Sequence, residues 1–263
     1  MSGIRVLVMG AAGRMGRELV RTLASADDLE LVGAVDRARV GEDSGRVAGL
    51  ESNRVLITSS LSDALAEASP DVAVDFTLPS AVMGNVRTVL RAGVACVVGA
   101  TGLTDENLKE IAALAEERKR PVFVAPNFAM GAVLMMQFAA QAARHLGAAE
   151  IVELHHEDKA DAPSGTALRT ARLMTTVSGT RFTEAESGDG RPSRGLAEGP
   201  VHIHSVRLPG LIAHQEVIFG GLGETLTIRH DSTSHACFMP GVLLAIRKVQ
   251  GLRGVVVGLE KIM

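Results

Sequence analysis

The segment Ile4-Arg5-Val6-Leu7-Val8-Met9-Gly10-Ala11-Ala12-Gly13-Arg14-Met15-Gly16 runs from an apolar strand into a glycine turn and on into a helix. Its glycines follow G-x-x-G-x-x-G, with Ala12 where the stricter G-x-G-x-x-G pattern expects a glycine. Glycine lets the backbone turn tightly and approach a pyrophosphate, whose charge is met by free amides and the positive end of the helix dipole. Asp36 lies twenty residues beyond Gly16, at the end of the second predicted strand. A carboxylate placed there accepts hydrogen bonds from the adenosine ribose hydroxyls, which favours NADH. Arg37, next to it, offers a guanidinium to the 2′-phosphate of NADPH, so acceptance of NADH and/or NADPH is expected.

Outward from this segment, short β-branched runs at 4–9, 29–35, 55–57, 72–76, 94–98 and 122–124 alternate with amphipathic stretches at 14–24, 62–68, 80–92 and 105–118. That rhythm predicts an α/β domain with a doubly wound parallel sheet. Ligands of such sheets sit outside the carboxyl ends of the strands. The turns Phe76-Thr77-Leu78-Pro79 and Gly99-Ala100-Thr101-Gly102 are therefore expected to line the dinucleotide crevice. After Asn127 the pattern becomes α+β: an apolar helix over 131–146, a strand over 150–155, a helix from near Gly165, and strands at 201–208, 214–219 and 225–230. The last two are joined by Gly-Gly-Leu-Gly-Glu, a hairpin connection. The stretch 178–199, rich in Gly, Ser, Glu and Arg, reads as a long mobile loop. A helix over 240–249 and a strand over 255–259 end the chain and can return to the first domain.

The 263 residues, 46% hydrophobic and 22% charged, have globular composition and suit two domains of modest size. The apolar run at 94–98 falls far short of the ~20 residues of a membrane span, and no leader-like pattern follows Met1, so a cytoplasmic location without membrane contact is expected. A net charge of −3, no Trp or Tyr and no basic stripe argue against nucleic acid as a partner and favour a small molecule. Cys96 and Cys237 provide neither a disulfide framework nor a metal-ligand spacing.

Glu153-Leu154-His155-His156-Glu157-Asp158-Lys159-Ala160-Asp161-Ala162-Pro163-Ser164-Gly165-Thr166-Ala167 concentrates cationic groups beside a turn into a helix. Gly165 and Thr166 at the helix start can hold an anion, and Lys159 adds a compact positive charge, so carboxylates are the expected ligands. In a regular strand His155 and His156 face opposite sides of the sheet and need not share a role. Zinc is not expected: His-His-Glu-Asp lacks the i, i+4 spacing of helical metal ligands.

The glycine turn together with H-H-x-x-K-x-D-A-P-S-G-T-A at 155–167 resembles the 4-hydroxy-tetrahydrodipicolinate (dihydrodipicolinate) reductase family. Val98-Gly99-Ala100-Thr101-Gly102, Ala125-Pro126-Asn127-Phe128 and Arg207-Leu208-Pro209-Gly210 extend the likeness through nearly the whole chain. The resemblance implies NAD(P)H-dependent reduction of a cyclic imine dicarboxylate in lysine and diaminopimelate biosynthesis. It also implies a Rossmann-type domain over 1–126 and 237–263. An inserted α+β domain over 127–236, built on an open mixed sheet, would bind substrate and form a homotetramer. It assigns His155 and Lys159 to catalysis, and His156, Gly165, Thr166 and Thr101 to the substrate. To the cofactor it assigns Gly10, Ala11, Ala12, Gly13, Arg14, Met15, Asp36, Arg37, Gly99, Ala100, Thr101, Ala125, Pro126, Asn127 and Phe128, and Phe76, in its strand-end turn, is expected to join them. His235 stands where many relatives carry arginine. The competing readings are another NAD(P)-dependent dehydrogenase of amino-acid metabolism, which would not need the cationic segment, and a non-catalytic dinucleotide sensor, which would not need Lys159.

Overall fold

The computed structural model describes residues 3–100, 102–178 and 192–263. Thr101 and most of the stretch read as a mobile loop lie outside them. The chain divides into two compact units, Met1–Phe128 with Phe238–Met263, and Ala129–Cys237.

The first unit opens β1(Ile4–Met9) α1(Arg14–Leu23) β2(Leu29–Val35) α2(Ser44–Val47) β3(Ile57–Thr58) α3(Leu61–Ala68) β4(Val72–Asp75) α4(Pro79–Arg91) β5(Ala95–Val98) α5(Asp105–Arg118) β6(Val122–Val124). In the second unit follow α6(Met130–Ala142) β7(Ala148–His155) α7(Gly165–Ser178) β8(Leu196–Glu198) β9(Val201–Arg207) β10(Ala213–Gly221) β11(Glu224–Ser232), and the chain then adds α8(Met239–Val249) and β12(Val255–Val257) to the first unit.

The first unit's seven strands form one parallel sheet in the order β3-β2-β1-β4-β5-β6-β12. Val6, Leu7 and Val8 of β1 are fully buried, because helices cover both faces of a central parallel strand. The core gathers Leu7, Met9, Val86, Leu90, Cys96 and Ile111. Strand order reverses between β1 and β4, the switch point at which doubly wound sheets open a crevice for a ligand. Local signals place the helices: Thr104 and Asn107 close a capping box on α5, and Pro79 opens α4. Two details depart from the sequence expectation. The Asp43 side chain accepts from the Arg46 amide and nucleates the short α2. The final strand stops at Val257, where Gly258 takes φ +105° and a 3-10 turn follows over Leu259–Lys261.

The second unit is a mixed five-stranded sheet in the order β11-β10-β7-β9-β8, with β7 and β9 parallel and the other pairs antiparallel. The expected hairpin joins β10 to β11, with Gly221 opposite Glu224. Ala139, Ile151, Ala171, Met174, Val217 and Phe219 share the core of this unit. Within the expected loop, Pro192–Arg194 form a 3-10 turn and β8 pairs with β9, a strand too short to show alternation in sequence. Among the described residues no helix is long and apolar enough to cross a membrane, and no cluster of His, Cys, Asp or Glu is arranged to hold a metal ion.

Candidate active site

In the first unit the glycine turn is fixed by backbone geometry. Gly10 has φ +80°, and a Cβ there would lie 2.8 Å from the Phe76 carbonyl oxygen. A Cβ on Gly16 would lie 2.0 Å from the Gly10 carbonyl oxygen, so only glycine lets α1 start this close to the turn. The Gly10 and Ala11 amides donate to the Val35 carbonyl at 2.8 and 3.2 Å, and the Gly13 amide to the Gly10 carbonyl at 3.0 Å. Gly13 is the N-cap of α1 and no side chain caps the helix among the described residues. The first-turn amides of Arg14 and Met15 thus keep no intrahelical acceptor, which is the condition for receiving a phosphate.

Asp36 does more than the sequence reading gave it. Its Oδ2 accepts the Ala12 amide at 2.9 Å and its Oδ1 the Ala38 amide at 2.9 Å, so the acid pins the glycine turn. Ala12 consequently offers no free amide to a ligand. Each carboxylate oxygen retains a second lone pair for a hydroxyl donor, and Arg37 beside it is exposed. An uncapped helix start, a glycine turn at the strand switch point and an acid with spare acceptor capacity fit an adenine dinucleotide.

The neighbouring turns take their shape from Asp75. This fully buried carboxylate accepts the Thr77 amide, the Thr77 hydroxyl and Asn85 Nδ2 at 2.7, 2.6 and 2.9 Å. Burial nevertheless raises its pKa. The room left by Gly99 is filled from within the fold: a Cβ would lie 2.2 Å from the Phe76 ring and 3.0 Å from the Phe128 ring. The two rings meet edge-on at 6.1 Å. Ala11, Ala100, Ala125 and Phe128 turn their side chains into the core, whereas Pro126 is exposed and Asn127 half-buried.

In the second unit, β7 carries Glu153 and His155 on one face and ends there. Glu153 is fully buried. Its Oε2 takes a hydrogen bond from His155 Nδ1 at 2.5 Å and from Arg207 Nη1 at 2.9 Å; its Oε1 takes one from Arg207 Nη2 at 2.8 Å and one from the Ser164 amide at 3.1 Å. Burial pushes the carboxyl pKa up. Hydrogen bonds from His155, Arg207 and Ser205, with the charge of His155, outweigh that and hold it at about 2. The carboxylate is therefore ionised and can only accept, so the proton of that bond sits on His155 Nδ1.

The segment after His155 turns back through a cis Ala162–Pro163 bond to the start of α7. Ser164 caps this helix, its Oγ accepting the Ala167 amide at 3.2 Å. Gly165 is exposed at the first helical position, and a Cβ built on it would meet nothing within 4 Å. Open space in front of a helix start suits a carboxylate. Lys159 Nζ lies 2.7 Å from Asp161 Oδ1, an ion pair that holds the Asp161 pKa down. His155, His156, Lys159, Gly165 and Thr166 are thus brought to one end of the second sheet. Thr101 lies outside the described residues.

This double signature recurs in family comparisons. Residues 4–128 match the model of the dihydrodipicolinate reductase N-terminus and residues 131–263 that of its C-terminus. The chain belongs to the dihydrodipicolinate reductase family. It is 51% identical to the 4-hydroxy-tetrahydrodipicolinate reductase of Moorella thermoacetica, covering 99% of this chain and 98% of that one. To the same-named protein of Gloeobacter violaceus it is 49% identical, covering 98% and 99%. A dipicolinate-bound dihydrodipicolinate reductase from Paenisporosarcina sp. TG-14 superposes with a TM-score of 0.85 at 41% identity, covering 99% and 100%. An amine dehydrogenase from Mycobacterium smegmatis shares the fold alone, with a TM-score of 0.67 at 16% identity.

Within this dihydrodipicolinate reductase chain, sequence reasoning passed over Glu153 and Arg207. Both stood inside quoted motifs, Glu153 two residues before His155 and Arg207 at the head of Arg-Leu-Pro-Gly. The available signal was the alternation of β7: Glu153 sits on the buried side of a strand with Ile151, and a buried carboxylate demands a cation.

Proposed function

We propose that this chain reduces 4-hydroxy-tetrahydrodipicolinate to tetrahydrodipicolinate, releasing water and oxidising NADH or NADPH, in lysine and diaminopimelate biosynthesis. The observation that carries this reading is the convergence of His155, the Lys159 segment and the open start of α7 on one buried carboxylate and its arginine in a chain of this family. The reduced nicotinamide supplies the hydride when bound. The chain's own residues bind, orient and protonate. Gly165 and Thr166 take one substrate carboxylate, with His156 beside it, and Lys159 is the proton donor with His155 in acid-base support. The first unit is the dinucleotide-binding domain: the amides of Arg14 and Met15, beyond the turn from Gly10 to Gly13, receive the pyrophosphate, and Asp36 and Arg37 the adenosine ribose. Phe76, Gly99, Ala100 and 125–128 line the remaining cofactor surface, and the family resemblance assigns Thr101 to cofactor and substrate. The second unit binds substrate and builds a homotetramer in the cytoplasm. The tetramer reading rests on the family resemblance, and β11, a long edge strand with mostly exposed residues, offers an edge for another copy.

The test is a coupled assay in which aspartate semialdehyde and pyruvate are condensed in situ and loss of reduced cofactor is followed with each nucleotide. Turnover with at least one of them is expected; its absence with both refutes the activity.

Two variants divide the labour of the sites. Gly165→Ala meets no protein atom, so the fold should be unaffected, yet the added methyl would intrude on the carboxylate proposed to bind there. We expect dipicolinate affinity to drop by about tenfold, the value of one charge-assisted hydrogen bond, with the melting temperature unchanged. Undiminished affinity by calorimetry removes Gly165 from the substrate site. Asp36→Ala loses the ribose acceptor and loosens the turn, so both Michaelis constants rise, that for NADH by about tenfold and that for NADPH less. Equal increases would remove the ribose assignment.

A further inference from the structure

We infer that Glu153 and Arg207 form a positioning frame for the reaction, one buried ion pair that fixes the His155 ring through its Nδ1 and the Lys159 segment through its backbone carbonyls. The inference rests on the proposed reduction and adds two residues to its machinery. Residues 153 and 155 are two apart on β7 and so share a face. The parallel register of β7 with β9 sets Arg207 opposite His155.

Arg207 has five N–H donors and all are spent within this frame. Nη1 donates to Glu153 Oε2 and to the Val206 carbonyl at 2.8 Å, and Nη2 to Glu153 Oε1 and to the Asp161 carbonyl at 2.7 Å. Nε donates to the Lys159 carbonyl at 3.3 Å. A guanidinium so engaged has no donor left for a substrate carboxylate. Its role is to clamp the segment that carries Lys159.

Glu153 is equally committed. The bonds from His155, Arg207, Ser205 and the Ser164 amide leave its two oxygens no lone-pair site to spare. Full burial keeps it from the substrate. It therefore neither binds nor exchanges protons with the reacting ring. What it does is hold the proton on His155 Nδ1, so that Nε2 is the nitrogen left for acid-base work, and offset the charge of the ring when Nε2 is also protonated. The same carboxylate ties the Ser164 amide, immediately before Gly165, to β7. The proton-transfer groups and the start of α7 thus refer to one buried anion, which is how a site on a loop acquires the precision of one on a strand.

The test compares wild type with Glu153→Gln, isosteric but neutral. Expected results are a fall in kcat of about 100-fold per nucleotide-binding site, Michaelis constants for NADH and NADPH within threefold of wild type, and loss of the His155 Nδ1–H signal in 15N-histidine spectra. Replacing His155 by asparagine assigns that signal. A purely structural role would lower stability while each folded molecule kept its kcat and its ring signal. Glu153→Gln with kcat within threefold of wild type, or with the ring signal unchanged, overturns the inference. Should that variant not fold, Arg207→Lys keeps a cation but loses the five-donor fan: kcat is expected to fall at least tenfold with nucleotide Michaelis constants unchanged, and full activity overturns the inference. The ring signal needs no turnover. A wild-type protein that shows it but reduces nothing would refute the proposed function and leave the frame standing.

Discussion

Replacing Lys159 with alanine is expected to lower kcat about 1,000-fold while leaving nucleotide affinity within threefold of wild type. Reduction raises electron density on a ring that already bears two carboxylates, and a proton must arrive as the hydride does. A positioned general acid contributes about 100- to 10,000-fold to such a step. Lys159 has the means to deliver it: its Nζ is held by the carboxylate of Asp161, largely exposed, rather than by a buried partner. An exposed pair of this kind contributes at most about 1 kcal/mol, so a dianionic substrate can draw the ammonium away cheaply. The backbone beneath it is clamped by Arg207 and does not have to move. In the proposed division of labour the nucleotide is held by the first unit, so its affinity should not change. Stopped-flow turnover and fluorescence titration with NADH measure the two quantities. Equal loss of both, or a kcat within tenfold of wild type, removes Lys159 from the role of proton donor.

Arg207→Ala is expected to cost about 3–5 kcal/mol of stability at neutral pH, because it leaves a buried carboxylate without its cation. For a chain of this size that lowers the melting temperature by about 10 °C. The effect should depend on pH in a defined direction. The folded pKa of Glu153 is about 2, below its ordinary value of 4.5. A carboxyl with a depressed folded pKa stabilises the fold above its unfolded pKa, and that contribution, roughly 3 kcal/mol here, disappears as pH falls from 4.5 towards 2. Without Arg207 the folded pKa rises, so the variant can shed its unpaired charge by protonation. The gap in melting temperature between wild type and Arg207→Ala should therefore be widest near pH 7 and narrow below about pH 4. A gap that stays constant or widens with acid contradicts the account of Glu153.

Much of the architecture was legible because it is written locally. The strand, glycine turn, helix, strand and acid from Ile4 to Asp36 need only short-range periodicity and glycine stereochemistry. The change from α/β to α+β after Asn127 shows in the same way. The segment 153–167 was legible as a density of cations beside a helix start. The rest depends on distance in the chain. Glu153 and Arg207 are 54 residues apart and meet only through the register of two parallel strands joined by a long crossover. Asp36 was read as a ribose ligand alone, because its bonds to Ala12 and Ala38 depend on how β1 and β2 end side by side. Gly99 belongs to a turn expected to line the crevice, and the Phe76 and Phe128 rings that fill the space beside it come from separate strand ends. α2 and β8 escaped notice since four and three residues carry no usable period.

Crystals of the protein grown with reduced nucleotide and pyridine-2,6-dicarboxylate would test the reading most directly. The diacid should sit in the second unit with one carboxylate on the Gly165 amide and the Thr166 hydroxyl and with Lys159 Nζ turned from Asp161 towards it. A diacid bound away from residues 155–166, with the Lys159–Asp161 pair intact, would contradict the account.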